Sequence, residues 1–187
     1  SASSAASDVY KRQELDGDAA DGTNQLDSQS ITFDLGDAGT LIFAGHGGSS
    51  AMSAVDDVMP TAYEEPWDVV TGADADIIGG HSGNNMFTYK YSHDSGVNLT
   101  LAYINAADAV TDVSYSDIGI SYTGVEGLTI GYAEGNVEQT ALTESDEHTL
   151  YATYAMGAMT VGVQTSEKDV SGGSTSDTES QGFGLSY

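Results

Sequence analysis

Hydrophobic and polar residues alternate with a period of two through nine short stretches of this chain, the pattern of strands that bury one face. The clearest case lies between Asn85 and Asn105. Phe87, Tyr89 and Tyr91 alternate with Thr88 and Lys90, and Val97, Leu99, Leu101 and Tyr103 alternate with Asn98, Thr100 and Ala102. His93-Asp94-Ser95-Gly96 lies between the two arms and supplies residues that tolerate the positive φ of a tight reversal. The unit recurs. Ile31, Phe33 and Leu35 turn at Gly36 to Gly39 into Leu41 and Phe43; Ile118, Ile120 and Tyr122 turn at Thr123 to Gly127 into Leu128, Ile130 and Tyr132. Leu150, Ala152 and Tyr154 turn at Met156 to Ala158 into Met159, Val161 and Val163, and Phe183, Leu185 and Tyr187 begin a ninth strand.

Tyr91, Tyr122, Tyr154 and Tyr187 close successive descending arms at spacings of 31, 32 and 33 residues, so the hairpins form a repeat. Short turns alternate with long polar loops, predicted at 46–83, 134–147 and 166–180, and 14–29 also reads as loop. One end of the sheet is trimmed and the other elaborated. A soluble β-sandwich would alternate too, but here the polar face is built from Thr, Gly, Ala, Ser and Asn with one lysine, and tyrosines recur at strand ends, where an amphipathic ring suits a membrane interface. Unequal loops are the habit of transmembrane barrels. The pattern predicts an all-β, antiparallel up-and-down transmembrane β-barrel, here a partial barrel of about nine strands. A lysine facing lipid at mid-depth would cost about 2–4 kcal/mol, so Lys90 and the residues sharing its face belong to the lumen: Thr88, Asn98, Thr100, Thr129 and Thr160. Tyr91, Tyr103, Tyr122, Tyr132, Tyr154 and Tyr187 are then interface aromatics.

Composition narrows the partners. Twenty-nine acidic residues stand against four basic ones, a formal charge of −25, which argues against nucleic acid and favours cations as neighbours. There is no cysteine, hence no disulfide framework or thiolate metal site. No apolar run is long enough for a membrane-spanning helix, which leaves a barrel open. Residues 1–13 stand apart: Ser3 to Gln13, SSAASDVYKRQ, resembles the in-frame translation of a common transposase sequencing adapter. We expect this stretch to be adapter-derived and exclude it from fold reasoning; it holds two of the four basic residues, Lys11 and Arg12.

Gly39-Thr40-Leu41-Ile42-Phe43-Ala44-Gly45, the later Val55-Asp56-Asp57 and Pro60, Gly83-Asn84-Asn85 and the Phe87-Thr88-Tyr89 strand together resemble the trimeric general-diffusion porins of Gram-negative outer membranes. The resemblance covers residues 30–187. It implies a roughly sixteen-stranded barrel of which these strands are the middle part, a homotrimer, an outer-membrane location, and a water-filled channel for passive diffusion of small hydrophilic solutes and ions. It also implies that the 46–83 loop folds inward as the constriction. Asp56, Asp57, Glu64, Glu65 and Asp68 would then form a negative constriction, opposed by Lys90, that concentrates cations; Tyr63 and Trp67 could anchor the loop. Family porins commonly carry arginine just after this strand, where this sequence has Gly45-His46, so cation preference is expected.

Other chemistries are less well served. The carboxylates of 56–68 could hold Ca²⁺ weakly, yet no Asp-x-Asp-x-Asp-Gly loop is present; no other cofactor is expected. His46, His81, His93 and His148 do not pair at zinc-ligand spacing, and Gly80-His81-Ser82-Gly83 lacks a nucleophile elbow's strand-to-helix context, so no enzyme activity is expected. The alternative is a secreted acidic calcium-binding β-rich adhesin or surface protein, which would call for Gly-Gly-x-Gly-x-Asp repeats that the sequence lacks.

Overall fold

The computed structural model describes residues 8–15, 26–56, 58–60, 82–83, 85–105, 113–139, 143–172 and 177–187. Ten strands form one antiparallel sheet in which every neighbour in space is a neighbour in sequence order among these ten. They are β1 (Asp8–Leu15), β2 (Leu26–Asp34), β3 (Thr40–His46), β6 (Met86–Ser92), β7 (Val97–Ile104), β8 (Val113–Val125), β9 (Leu128–Gln139), β10 (Thr143–Met156), β11 (Met159–Ser171) and β12 (Thr178–Ser186). Between β3 and β6, the short strands β4 (Gly48–Ser49) and β5 (Ser82–Gly83) pair with each other, and a 3₁₀ turn covers Met52–Ala54. The sheet is an open, up-and-down barrel wall with β1 and β12 at its edges.

Nine of the ten strands are those predicted from alternation. Their turns follow local chemistry: His93 N–H donates to Val97 O at 2.8 Å, and Gly96 takes φ +91° with its Cα packed where any Cβ would strike Gly124 of the next turn. The tenth strand, β1, is made largely of the adapter-like residues. It pairs along β2 from Asp8↔Asp34 to Leu15↔Leu26, because an open edge offers unpaired N–H and C=O groups that an extended segment satisfies.

Three predicted loops are shorter than expected. Residues 26–29, placed in a loop, belong to β2, and 14–15 to β1. Most of 134–147 and 166–180 is also strand: β9 runs to Gln139, β10 starts at Thr143, β11 runs to Ser171, and β12 starts at Thr178. The ladder continues in register through Glu144↔Ser171 and Glu144↔Glu138. Alternation vanished there because the outward side chains turn polar, while backbone hydrogen bonds need no apolar side chain to persist.

Candidate functional site

The two faces of the sheet differ in kind. On one face Met86, Thr88, Ala102, Tyr115, Asp117, Ala133, Glu147, Thr149, Tyr151, Gln164 and Ser166 are buried. On the other, Phe87, Leu101, Tyr103, Ile118, Ile120, Tyr122, Ile130, Leu150, Tyr154, Val163 and Phe183 are exposed. We call the first face inner, since residues 51–56 and 58–60 lie on it.

That segment is held by apolar packing, hydrogen bonds and close approach. Met52 is fully buried and clusters with Val55, Met59, Ala133 and Tyr151. Met52 N–H donates to Asp117 Oδ2 at 2.8 Å, and the Tyr115 hydroxyl donates to the same oxygen at 3.0 Å. Three strands away, Gln164 Nε2 donates to Val55 O at 2.9 Å and to Thr149 Oγ1 at 3.1 Å, and Thr149 Oγ1 lies 2.9 Å from Ser166 Oγ. The wall beneath is pared back to glycine. A Cβ on Gly119 would sit 2.9 Å from Ala51 Cβ, one on Gly135 3.1 Å from Met52 Cγ, and one on Gly162 or Gly184 2.6 Å from Pro60 Cδ. An inward ion pair joins Lys168 Nζ to Glu147 Oε1 at 2.7 Å, with Glu147 almost wholly buried.

The predicted site residues fall as follows. Lys90, Thr100, Asn98, Thr129 and Thr160 share the inner face by register, through Lys90↔Thr100, Ser92↔Asn98, Thr153↔Thr129 and Thr153↔Gly162, with Ala155↔Thr160 two residues further along in the same phase. Lys90 is exposed there. Thr88 is on this face too, but it is buried under the inward chain and donates to Ser49 O at 3.3 Å; water does not reach it, contrary to the expectation of a water-lined position, because β4 covers it. Asp56 is half-buried within the segment. Asp57, Glu64, Glu65 and Asp68, with Tyr63 and Trp67, lie outside the described residues. Among the described residues no group of three or more His, Asp or Glu is placed to hold a metal. Sequence reasoning missed Asp117, Glu147, Thr149, Gln164, Lys168 and the wall glycines; the available signal was their parity, since Asp117, Gly119, Gly131 and Gly135 all alternate with outward apolar or polar residues.

The outer face carries the second element of the site. Its apolar run ends at different heights on successive strands: Tyr103 is followed across the ladder by Ser116, Ile118 by Glu134, and Leu150 by Thr165. Beyond that line the outward positions are polar, among them Asn136 bonded to Asp146 at 2.8 Å and His148 paired with Glu167 at 3.2 Å. Between the first and last of these pairs the boundary climbs four residues while crossing three strands. With about 3.3 Å per residue and about 4.8 Å per strand, the belt's edge is inclined roughly 40° to the perpendicular of the strands. Strands tilted by about 35–45° in a barrel, cut by a flat boundary, give this inclination. Tyr91, Tyr122 and Tyr154 stand near the short turns, and Tyr103 and Tyr132 toward the long-loop end, each on the outer face.

The structure is thus a tilted, antiparallel barrel wall with an apolar outer belt and a chain segment folded onto its inner face. No family model matches the sequence, and no curated protein sequence matches it. Among solved structures it is similar to the anion-selective porin from Comamonas acidovorans, at 20% identity and TM-score 0.60 over 92% of this chain and 56% of that one. It is also similar to a porin refined at 1.8 Å, at 15% identity and TM-score 0.54 over 84% of this chain and 58% of that one. The likeness is one of fold: the chain has the porin fold. It spans a little over half the length of the porins it matches.

Proposed function

We propose that this chain forms part of the wall of an outer-membrane porin, a water-filled channel through which small hydrophilic solutes and ions diffuse passively. The observation that carries the reading is the inversion of the sheet, with exposed apolar residues in a belt inclined as tilted strands require, and polar residues turned inward. In a water-soluble sheet the exposed face is the polar one, which leaves the secreted calcium-binding alternative without support. The Ala51–Pro60 segment narrows the passage from inside. Trimerisation and the outer-membrane location rest on the resemblance to general-diffusion porins.

Within this reading we place a preference for cations. The motive is the charge balance, 29 acidic residues against four basic, and Lys168 being neutralised by Glu147 at 2.7 Å. The solved porin named anion-selective gives no support to this preference, so selectivity stands on charge alone. Reconstitution of the full-length protein in planar bilayers tests both levels. Stepwise conductance proportional to bulk salt conductivity, with reversal potentials toward potassium under a KCl gradient, is the expected result. Steps with reversal potentials toward chloride would remove the cation preference, and a protein that refolds in lipid but never conducts would remove the channel.

A further inference from the structure

We propose that the outward face of β8 to β12, just beyond the apolar belt, is a docking surface for lipid headgroups that carry a primary ammonium group. This rests on the reading above that the belt faces lipid.

The surface is acidic by register as well as by composition. Glu138 stands directly opposite Glu144, Asp146 opposite Asp169, and Glu167 opposite Glu179, all on the outward face. Cβ atoms so paired are about 4.5–5.5 Å apart, and like charges placed opposite one another destabilise a sheet. Three such pairs on four adjacent strands make a negative field that cations relieve. The wall itself supplies almost none. β8 to β12 hold a single Lys or Arg, Lys168, and it turns inward to Glu147. His148, 3.2 Å from Glu167, is the one outward group on these strands that can become positive. Elsewhere the carboxylates meet neutral donors: the Tyr132 hydroxyl donates to Glu134 Oε2 at 2.7 Å, and Asn136 Nδ2 donates to Asp146 Oδ1 at 2.8 Å. Such bonds orient a carboxylate but leave its charge and its other acceptor sites in place.

Shape adds to charge. The outside of a barrel wall is convex, yet a recess of about 480 Å³ opens across β8, β9 and β10. Glu134, Asn136, Asp146 and His148 line its polar side, and Ile118 and Tyr132 line the side toward the belt. The apolar surface continues from there over the exposed Ile120, Ile130 and Leu150. An occupant that fits has a tail lying along the belt and a small cationic head beside Glu134 and Asp146. A primary ammonium brings one positive charge and three N–H donors for the open lone pairs of the two carboxylates. A trimethylated ammonium brings the charge without the donors, and an anionic head is repelled. An isologous contact with a second copy of the chain would set carboxylate against carboxylate.

Lipid retention tests this in the full-length protein. It is placed in nanodiscs of phosphatidylethanolamine, phosphatidylcholine and phosphatidylglycerol in equal parts with identical acyl chains and a chelator present, released into mild detergent, and weighed intact. Phosphatidylethanolamine is expected to be retained about threefold or more above the other two. The double substitution Glu134→Gln, Asp146→Asn is expected to abolish that excess, and Asp94→Asn, in a short turn, to leave it unchanged. Equal retention of the three lipids overturns the proposal, as does an excess that survives the double substitution. An excess of phosphatidylglycerol alone, appearing only when Mg²⁺ replaces the chelator, also overturns it, since a bridging metal then does the binding. If the double variant does not fold, Glu138→Gln, Glu144→Gln takes its place: a reduced excess supports the surface, and an unchanged one overturns it. These positions lie outside the lumen, so a conducting protein without lipid selectivity defeats this surface alone. Selective retention by a protein that never conducts upholds the surface and defeats the channel reading.

Discussion

Residues one step apart on β10 live in opposite environments. Thr149 is fully buried with three polar neighbours, while Leu150 is 49% exposed; Tyr151 is buried against Met52, and Tyr154 on the other face is 41% exposed. In water this arrangement would be upside down, because apolar area is left solvated at about 25 cal/mol per Å² while polar groups are sunk and must find partners. The inner face meets that requirement locally, through Gln164, Ser166 and the backbone of the inward segment. The outer face meets it only if its solvent is lipid. The difference teaches that burial within the chain reports where the segment lies, and exposure reports where the bilayer would be.

The contrast can be broken most strongly by charge. Ile130→Arg, in the outer belt, should cost about 2–4 kcal/mol in denaturant-dependent folding into vesicles, while Thr129→Arg beside it should cost much less; equal costs would erase the distinction between faces. Removing a charge from the inner face should cost less. Lys168→Met strands the Glu147 carboxylate, whose side chain is only 6% exposed, and should lose about 1.5–3 kcal/mol, with the Glu147→Gln, Lys168→Met double variant recovering most of it. If the double variant is as unstable as the single one, the ion pair is not the cause. Thr149→Val keeps shape and removes the hydroxyl that links Gln164 and Ser166; a loss of about 1 kcal/mol is expected, and no loss would mean the network is idle. Smallest of all is deletion of residues 1–13. Val9 and Tyr10 are 60% and 57% exposed, so the change should stay within about 0.5 kcal/mol and leave the amide exchange of β3 to β12 unaltered.

Much of the wall was legible in the sequence, for a physical reason. A strand with unlike faces writes its environment in alternation, and the parity of Lys90 with Thr88 assigns those faces before any coordinates are known. Legibility failed where that contrast fades. Past Ile118, Tyr132 and Leu150 both faces are polar, so Glu134 to Glu147 looked like loop although its backbone stays paired. The inner site was harder still. Asp117 and Gln164 act on Met52 and Val55, more than 60 and 100 residues away in the chain, and no local pattern encodes such a contact. The glycines opposite them were visible, but read as ordinary spacing residues of a polar face. The acidic residues that drew attention, Asp57, Glu64, Glu65 and Asp68, fall outside the described residues, and the carboxylates found on the inner face are instead Asp117 and Glu147 of the wall itself.

One measurement tests the two-faced wall most directly. Single cysteines at Thr100, Leu101, Thr129 and Ile130, introduced into the full-length protein in lipid vesicles, are exposed to a membrane-impermeant maleimide. The account predicts rapid labelling at Thr100 and Thr129 and negligible labelling at Leu101 and Ile130. Labelling of all four at similar rates, or of the belt positions in preference, would contradict it.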